Sequence, residues 1–361
     1  MKVILLGDTH FGNHKQFGGP IVRGINRRCQ EILDAVEREV RKAVEEDPDI
    51  EHVIQVGDFF DQARPPAAVI EATIQMMKRF PNLHWHLMKG NHDVASFDAP
   101  SALAPLAHIP GISVYEQPTL LEIGGRKYGL IPYIDHSAFT ALHMAKLVLS
   151  QADILIMHYG VVAEPTRPDQ ISLDKINQVW DQYRVQMGTR AYPRVFSGHE
   201  HGQRLITEYA PAAGLGSFCD LDWSATRFGW PGFAIIDTAH NGVEEQEIDG
   251  PAFLGWDTKV SSDESMMSSA LNSRGSGIYI EGPAEKESLL RSWTEIELIQ
   301  GYRIKPVQEL PDGDDEQRVE RYGFSDLEEP IAEVLDSQGA DLADEGTQRV
   351  WASCIQHMKE Q

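Results

Sequence analysis

Five times along the first two hundred residues a short apolar run stops abruptly at a cluster of polar side chains. Lys2 to Leu6 empties into Gly7-Asp8-Thr9-His10, and His52 to Val56 ends at Gly57-Asp58-Phe59-Phe60-Asp61. Leu83 to Met88 runs through Lys89 into Gly90-Asn91-His92-Asp93. Ile154 to Met157 meets His158, and Arg194 to Ser197 delivers Gly198-His199-Glu200-His201. Short apolar runs bounded by turn residues predict buried strands, and strands that end in carboxylates and imidazoles present them at a sheet edge, where open α/β folds bind ligands.

Between these runs the apolar positions switch to helical spacing. Ile32, Leu33, Val36, Val40 and Val44 predict an amphipathic helix that stops near Asp47-Pro48. The Pro65-Pro66 pair starts a second helix with Val69, Ile70, Ile74 and Met77 on its buried face. Extended pieces follow at 112–115, 119–123 and 126–131, the last two joined as a hairpin by Gly124-Gly125. A helix is expected from Ser137 to Ser150. Residues 161–192 are polar, with helical spacing only from Ile171 to Val185, and short strands including Gly232 to Asp237 close the domain near residue 250. A βαβα start followed by mostly β predicts an α/β domain of two stacked mixed β-sheets flanked by helices, not one doubly wound sheet.

Past residue 250 the pattern changes. Ser261 to Ser276 reads as a serine-rich loop, followed by a strand at Gly277 to Glu281, a helix through Leu289-Leu290 and a strand through Ile296 to Leu298, together a small α+β domain. From Pro311 onward fourteen Asp and Glu face four Lys and Arg, a net charge of −10, with helical stretches at 327–335 and 348–358. The expected division is therefore 1–250, 251–310 and 311–361. A chain of 361 residues with 42% hydrophobic positions is large enough for one substantial core and an appendage.

The overall charge of −23 excludes a protein that grips nucleic acid by bulk electrostatics, so any phosphate must meet a local positive centre. The apolar run after Met1 is too short for a signal peptide, and no later run approaches a membrane span, which predicts a soluble protein without membrane contact. Cys29, Cys219 and Cys354 are odd in number and widely spaced, the pattern of reduced thiols in a cytoplasm rather than of a zinc site.

The strand-end motifs supply carboxylate, imidazole and amide donors in one set. That mixture suits a pair of divalent cations such as Mn2+ or Fe2+, with Mg2+ less at home among imidazoles and structural zinc preferring thiolates. Two divalent ions outweigh the charges of Asp8 and Asp58, leaving a positive centre that clamps a phosphoryl group and activates a water.

In this order, Gly-Asp-x-His, Gly-Asp-x-x-Asp, Gly-Asn-His-Asp and Gly-His-x-His resemble the calcineurin-like metallophosphoesterase superfamily. Within it, Gly57-Asp58-Phe59-Phe60-Asp61-Gln62-Ala63-Arg64-Pro65-Pro66 is similar to the SbcD-type DNA nuclease subunits, a likeness that covers about residues 1 to 250. The resemblance implies one metal held by Asp8, His10, Asp58 and His201 and a second by Asp58, Asn91, His158 and His199, with Asp58 bridging. It implies that His92 is the catalytic histidine, with Asp93 orienting its ring, and that Asp61 stands where relatives carry a supporting Asp or His. It further implies DNA as substrate, exo- and endonuclease action in DNA repair or recombination, a capping role for 251–310, docking of the C-terminal helices on an SbcC-like coiled-coil ATPase of the ABC type, and a homodimer.

Plainer readings stand beside these. Asp8, Asp58 and Asn91 are also common cap and turn residues after glycine, and a lone histidine such as His158 is more often structural. His84 and His86 flank Trp85 inside a strand and read as structural. Arg23, Arg27 and Arg28 line a DNA path or are simply solvated. Alternative functions are a phosphomonoesterase or small-substrate phosphodiesterase of the same superfamily, against which stand Gln62 and Asp93 where phosphoprotein phosphatases carry Arg and Glu, and a metal-free scaffold.

Overall fold

The computed structural model describes residues 1–15, 17–96, 99–134, 136–187, 194–201, 212–215, 232–238, 243–245, 252–255, 261–272, 278–295 and 299–304. The chain divides into two compact units, Met1–Pro251 and Ala252–Gln361.

In the first unit two sheets carry the predicted strands. The first has six strands in the spatial order Val243–Glu245, Phe233–Asp237, Lys2–Leu6, Ile50–Gln55, His84–Met88, Ile112–Tyr115, and its last four are mutually parallel. The second has five, in the order Ala212–Gly214, Arg194–Ser197, Ile154–Met157, Arg126–Ile131, Thr119–Ile123, with only the last pair antiparallel. The alternation of side chains along each strand sorts the apolar residues into layers. Val3, Leu5, Ile54, Val56 and Met88 pack with Tyr128, Leu130, Ile154, Ile156 and Phe196 in one core between the sheets. Ile4, Leu6, Val53, Trp85 and Leu87 point the other way, onto helices Arg27–Glu46 and Ala67–Lys78. Ile131, Leu155, Met157 and Val195 cover the outer face of the second sheet with Ile176, Val179 and Trp180 of helix Leu173–Met187. This is the helix-flanked sandwich of two mixed sheets that the sequence predicts.

The helix over 27–46 is longer at its start than the apolar spacing shows, because Asn26 caps it by accepting the Cys29 N–H at 2.9 Å. Its first turn thereby takes in Arg27 and Arg28, and Arg28 is buried. Burial overturns both readings of Arg28, solvated or on a DNA path, while Arg23 and Arg27 remain at the surface beside the hairpin of Ile21–Val22 and Ile25–Asn26. The helix expected over 137–150 is two short ones, Ala138–Met144 and Lys146–Leu149, separated at Ala145.

Among its described residues the second unit has three strands, Ala252–Gly255, Ile278–Gly282 and Gly301–Ile304, all parallel, with helices Asp263–Asn272 and Glu287–Glu295 between them. Strands and helices alternate as successive crossovers instead of segregating as an α+β unit would. The serine-rich stretch expected to be a loop is helical over 263–272. Ser262 Oγ accepts the Ser265 N–H at 3.2 Å, and Met266, Met267 and Ala270 are buried at helical spacing, so the serines occupy the outward face. The predicted strand at 296–298 and the C-terminal helices at 327–335 and 348–358 lie outside the described residues. Among the described residues no helix is long and apolar enough to cross a membrane.

Candidate metal centre

The polar clusters that follow five parallel strands, three from the first sheet and two from the second, converge on one place. The loop at 8–11 is zipped to the loop at 58–61 by backbone bonds: His10 and Phe11 donate to Asp58 and Phe59 carbonyls at 2.9 Å each, and Asp61 donates to Phe11 at 3.1 Å. His10, Asp58 and His199 all have positive φ, 46°, 49° and 75°, in the left-handed region that costs side-chain-bearing residues energy and concentrates at functional sites. Two glycines make the convergence possible: a Cβ on Gly57 would overlap the His158 ring, and one on Gly90 would overlap Asp58.

Two donor groups result. Asp8, His10, Asp58 and His201 form one, with His10 Nε2 3.0 Å from His201 Nε2 and 3.5 Å from Asp58 Oδ2, and His201 Nε2 3.6 Å from Asp8 Oδ2. Asp58, His158 and His199 form the other, with His158 Nε2 3.3 Å from Asp58 Oδ2. Asn91 joins it, its Oδ1 lying 3.0 Å from His158 Nε2 and 2.8 Å from His199 Nδ1. Asp58 belongs to both.

The residues fit a cation. His158 spends its Nδ1–H on the Val56 carbonyl at 2.9 Å, and His199 donates its Nε2–H to Asp169 Oδ2 at 2.6 Å. In neutral rings, His158 Nε2 and His199 Nδ1 then face the Asn91 oxygen as lone pairs, three acceptors converging with no hydrogen among them, an arrangement that a metal ion reconciles. Asp8 Oδ1 is likewise buried without a hydrogen-bond partner. Left to themselves, the side chains settle this crowding with protons. Burial and the Asp58 charge push Asp8 up to about 7 against the pull of His158 and His10. Burial opposes the Asp58 charge too, but His158 and His10 hold that carboxyl below its ordinary range. Burial alone would lower His158, yet the charges of Asp58 and Asp8 raise it to about 10.

His92 is exposed at the rim. Its backbone N–H donates to Asp58 Oδ1 at 2.8 Å, its ring Nδ1–H to the Asp61 carbonyl at 2.8 Å, and its ring meets His10 edge-on at 4.7 Å between centroids. The Asp61 carboxylate lies 3.7 Å from His10 Nδ1, so Asp61 acts on His10 through its side chain and on His92 through its backbone. His10, Asp61 and His92 form a third donor group at the edge of the first.

Asp93 differs from the expectation. Its buried carboxylate accepts the N–H groups of Phe60 and Gly90 at 2.9 Å and of Phe59 at 3.3 Å, and it ties the loop holding Asp58 to the loop holding Asn91. The ring of His92 is oriented by Asp61 instead. Sequence adjacency misleads here because neighbouring residues in a tight turn send their side chains apart.

Asp169, which accepts from His199, carries no signal in the sequence. It lies in the polar stretch after residue 160, where no apolar period marks an element. The histidines expected to be structural stay apart from the donor groups: His84 Nε2 is 2.8 Å from Ser113 Oγ, and His86 Nδ1 is 2.8 Å from the Tyr115 hydroxyl.

The model of the calcineurin-like phosphoesterase family matches residues 1–203. The chain belongs to that family. Calcineurin-like phosphoesterases are hydrolases that use divalent metals, in keeping with the donor groups above. Among solved structures, the chain is similar to the nuclease MPE of Pseudomonas putida, at 19% identity over 57% of this chain and 65% of that one, with a TM-score of 0.27. It is also similar to a Vps29 single mutant from Entamoeba histolytica, at 14% identity over 66% of this chain and 86% of that one, with a TM-score of 0.30. The chain thus covers slightly less than two thirds of that nuclease's length. A sequence comparison with curated proteins found no match.

Proposed function

We propose that the protein is a two-metal phosphodiesterase that cuts DNA, with Mn2+ as the working ion. The observation that supports the two-metal part is the membership of Asp58 in both donor groups, which would let it serve both ions. When bound, the ion pair supplies Lewis-acid charge on the phosphoryl oxygens and an activated water. The chain's own residues do the rest. Asp8, His10 and His201 with Asp58 would hold one ion, and Asn91, His158 and His199 with Asp58 the other, while His158 and His199 are fixed by hydrogen bonds that turn their second ring nitrogens toward Asn91. His92, exposed and held through Nδ1, carries a proton on Nε2 toward the leaving 3′ oxygen.

DNA as substrate is supported by the likeness of Gly57 to Pro66 to SbcD-type nucleases. On the same ground the protein works in DNA repair or recombination, as a cytoplasmic homodimer, with an SbcC-like ATPase docked on residues 311–361 and residues 251–310 shaping DNA access. Cleavage of duplex and single-stranded DNA with Mn2+, alongside p-nitrophenyl phosphate, tests the substrate. DNA cutting that is lost in His92→Ala supports the reading, whereas turnover of the small ester alone makes the protein a phosphomonoesterase. Deleting 311–361 should abolish co-purification with the ATPase and spare nuclease activity; undiminished co-purification removes the docking assignment.

A further inference from the structure

The loop at 166–171 is fastened to the Gly198-His199-Glu200-His201 turn at two points. At the first, His199 Nε2–H donates to Asp169 Oδ2 at 2.6 Å. At the second, Glu200 Oε1 accepts from Gln170 Nε2 at 2.7 Å and from the Arg167 guanidinium, whose Nε also lies 3.3 Å from Asp169 Oδ1. The loop is equally tied to the strand end that carries His158. Gly160 donates its N–H to the Asp169 carbonyl at 2.9 Å, and Gly160–Val161 pairs in parallel with Gln170–Ile171. Asp169 therefore sits on backbone joined to one candidate ligand while its side chain holds the other.

A histidine binds metal through one nitrogen only when its proton stays on the other, and a carboxylate acceptor both fixes that tautomer and raises the basicity of the ligating atom. For His199 the ligating atom is Nδ1, which faces the Asn91 oxygen at 2.8 Å. We propose that Asp169 is the positioning residue of this half of the centre, holding His199 with Nδ1 turned toward Asn91 and His158, while Arg167, Gln170 and Glu200 clamp its loop in register. Among the described residues the Asp169 side chain makes no hydrogen bond or ion pair with His10, His201 or His92, so its direct hold is on the His199 half of the centre. The inference rests on the two-metal reading and is independent of the substrate.

Mn2+ binding to the full chain, followed by calorimetric titration and by the electron paramagnetic resonance of the bound ions, tests it without DNA. Wild type should take up two ions and show an exchange-coupled pair. Asp169→Ala should weaken one ion by about 10- to 100-fold, leave the other at wild-type affinity and convert the coupled spectrum to that of a single ion. Asp169→Asn keeps an acceptor oxygen and should recover part of the lost affinity. Asp169→Ala that binds both ions as wild type does, or weakens both equally, overturns the proposal, as does an Asn variant no better than Ala. Failure to cut DNA bears on the substrate alone, whereas wild type that holds fewer than two ions overturns the two-metal reading and this inference with it.

Discussion

Histidines gather in two places, at the strand ends of both sheets and along the strands of the first, and of these two only the strand ends form candidate metal-donor groups. At the strand ends, His10 and His158 lie 3.5 and 3.3 Å from Asp58 Oδ2, and the Asp58 and Asp8 charges, working against burial, raise His158 to about 10. Along the strands themselves, His52 Nδ1 is 3.0 Å from His86 Nε2 and the rings of His84 and His86 are 4.5 Å apart, but the partners completing this cluster are the hydroxyls of Ser113 and Tyr115. There burial and the neighbouring imidazoles push His86 down to about 3. The same side chain becomes a cation's ligand or a neutral hydrogen-bonding spacer according to whether carboxylates stand beside it.

The largest contrast between the two clusters is expected in catalysis. His92→Ala should lower kcat on DNA by about 10²–10⁴-fold, the usual range for a general acid, while both ions stay bound. His86→Ala should leave the rate unchanged at a temperature where it is folded. Equal losses in the two variants would erase the distinction.

Stability effects come next. Asp93→Ala leaves the Phe59, Phe60 and Gly90 N–H groups without their acceptor, at a cost on the order of 3 kcal/mol, to be read by denaturant unfolding; a variant as stable as wild type would contradict the stapling role given to Asp93. Chelation should lower the melting temperature of wild-type protein, because an ion at a hundred times its Kd contributes about 2.7 kcal/mol. The shift should persist in His86→Gln and shrink in Asp58→Asn. A full shift in Asp58→Asn would place the ions elsewhere.

The last contrast belongs to the cluster within the sheet and vanishes at neutral pH. The folded-state pKa of His86, about 3, lies below its ordinary 6.5, so above pH 6.5 the residue is neutral in both states and contributes no pH dependence. As pH falls below 6.5 the unfolded chain takes up a proton that the folded chain refuses, and stability drops by about 1.4 kcal/mol per pH unit at most until the folded pKa is reached. Unfolding curves between pH 7 and 4 should show a shallower decline in His86→Gln than in wild type, and parallel curves would show that His86 protonates freely when folded.

The convergence of the strand-end donors was legible because each follows a short apolar run that reads as a buried strand, and a carboxylate or imidazole placed there is delivered to the sheet edge. The layered sandwich followed from the same runs. Asp169 was hidden because its partner His199 is thirty residues away and nothing periodic marks the loop between them. Arg28 looked like a surface cation until Asn26 set the start of its helix and turned it inward. The helix over 263–272 was masked by serines, whose tendency to leave helices for turns is outweighed by burial of Met266, Met267 and Ala270.

The central claim is that Asp58 bridges two ions, and anomalous diffraction from Mn2+-loaded crystals tests it most directly. Two peaks about 3.5 to 4 Å apart, one beside His10 and His201 and the other beside His158 and His199, both against Asp58, are the predicted result. A single peak, or a pair that leaves Asp58 without a metal contact, would contradict it.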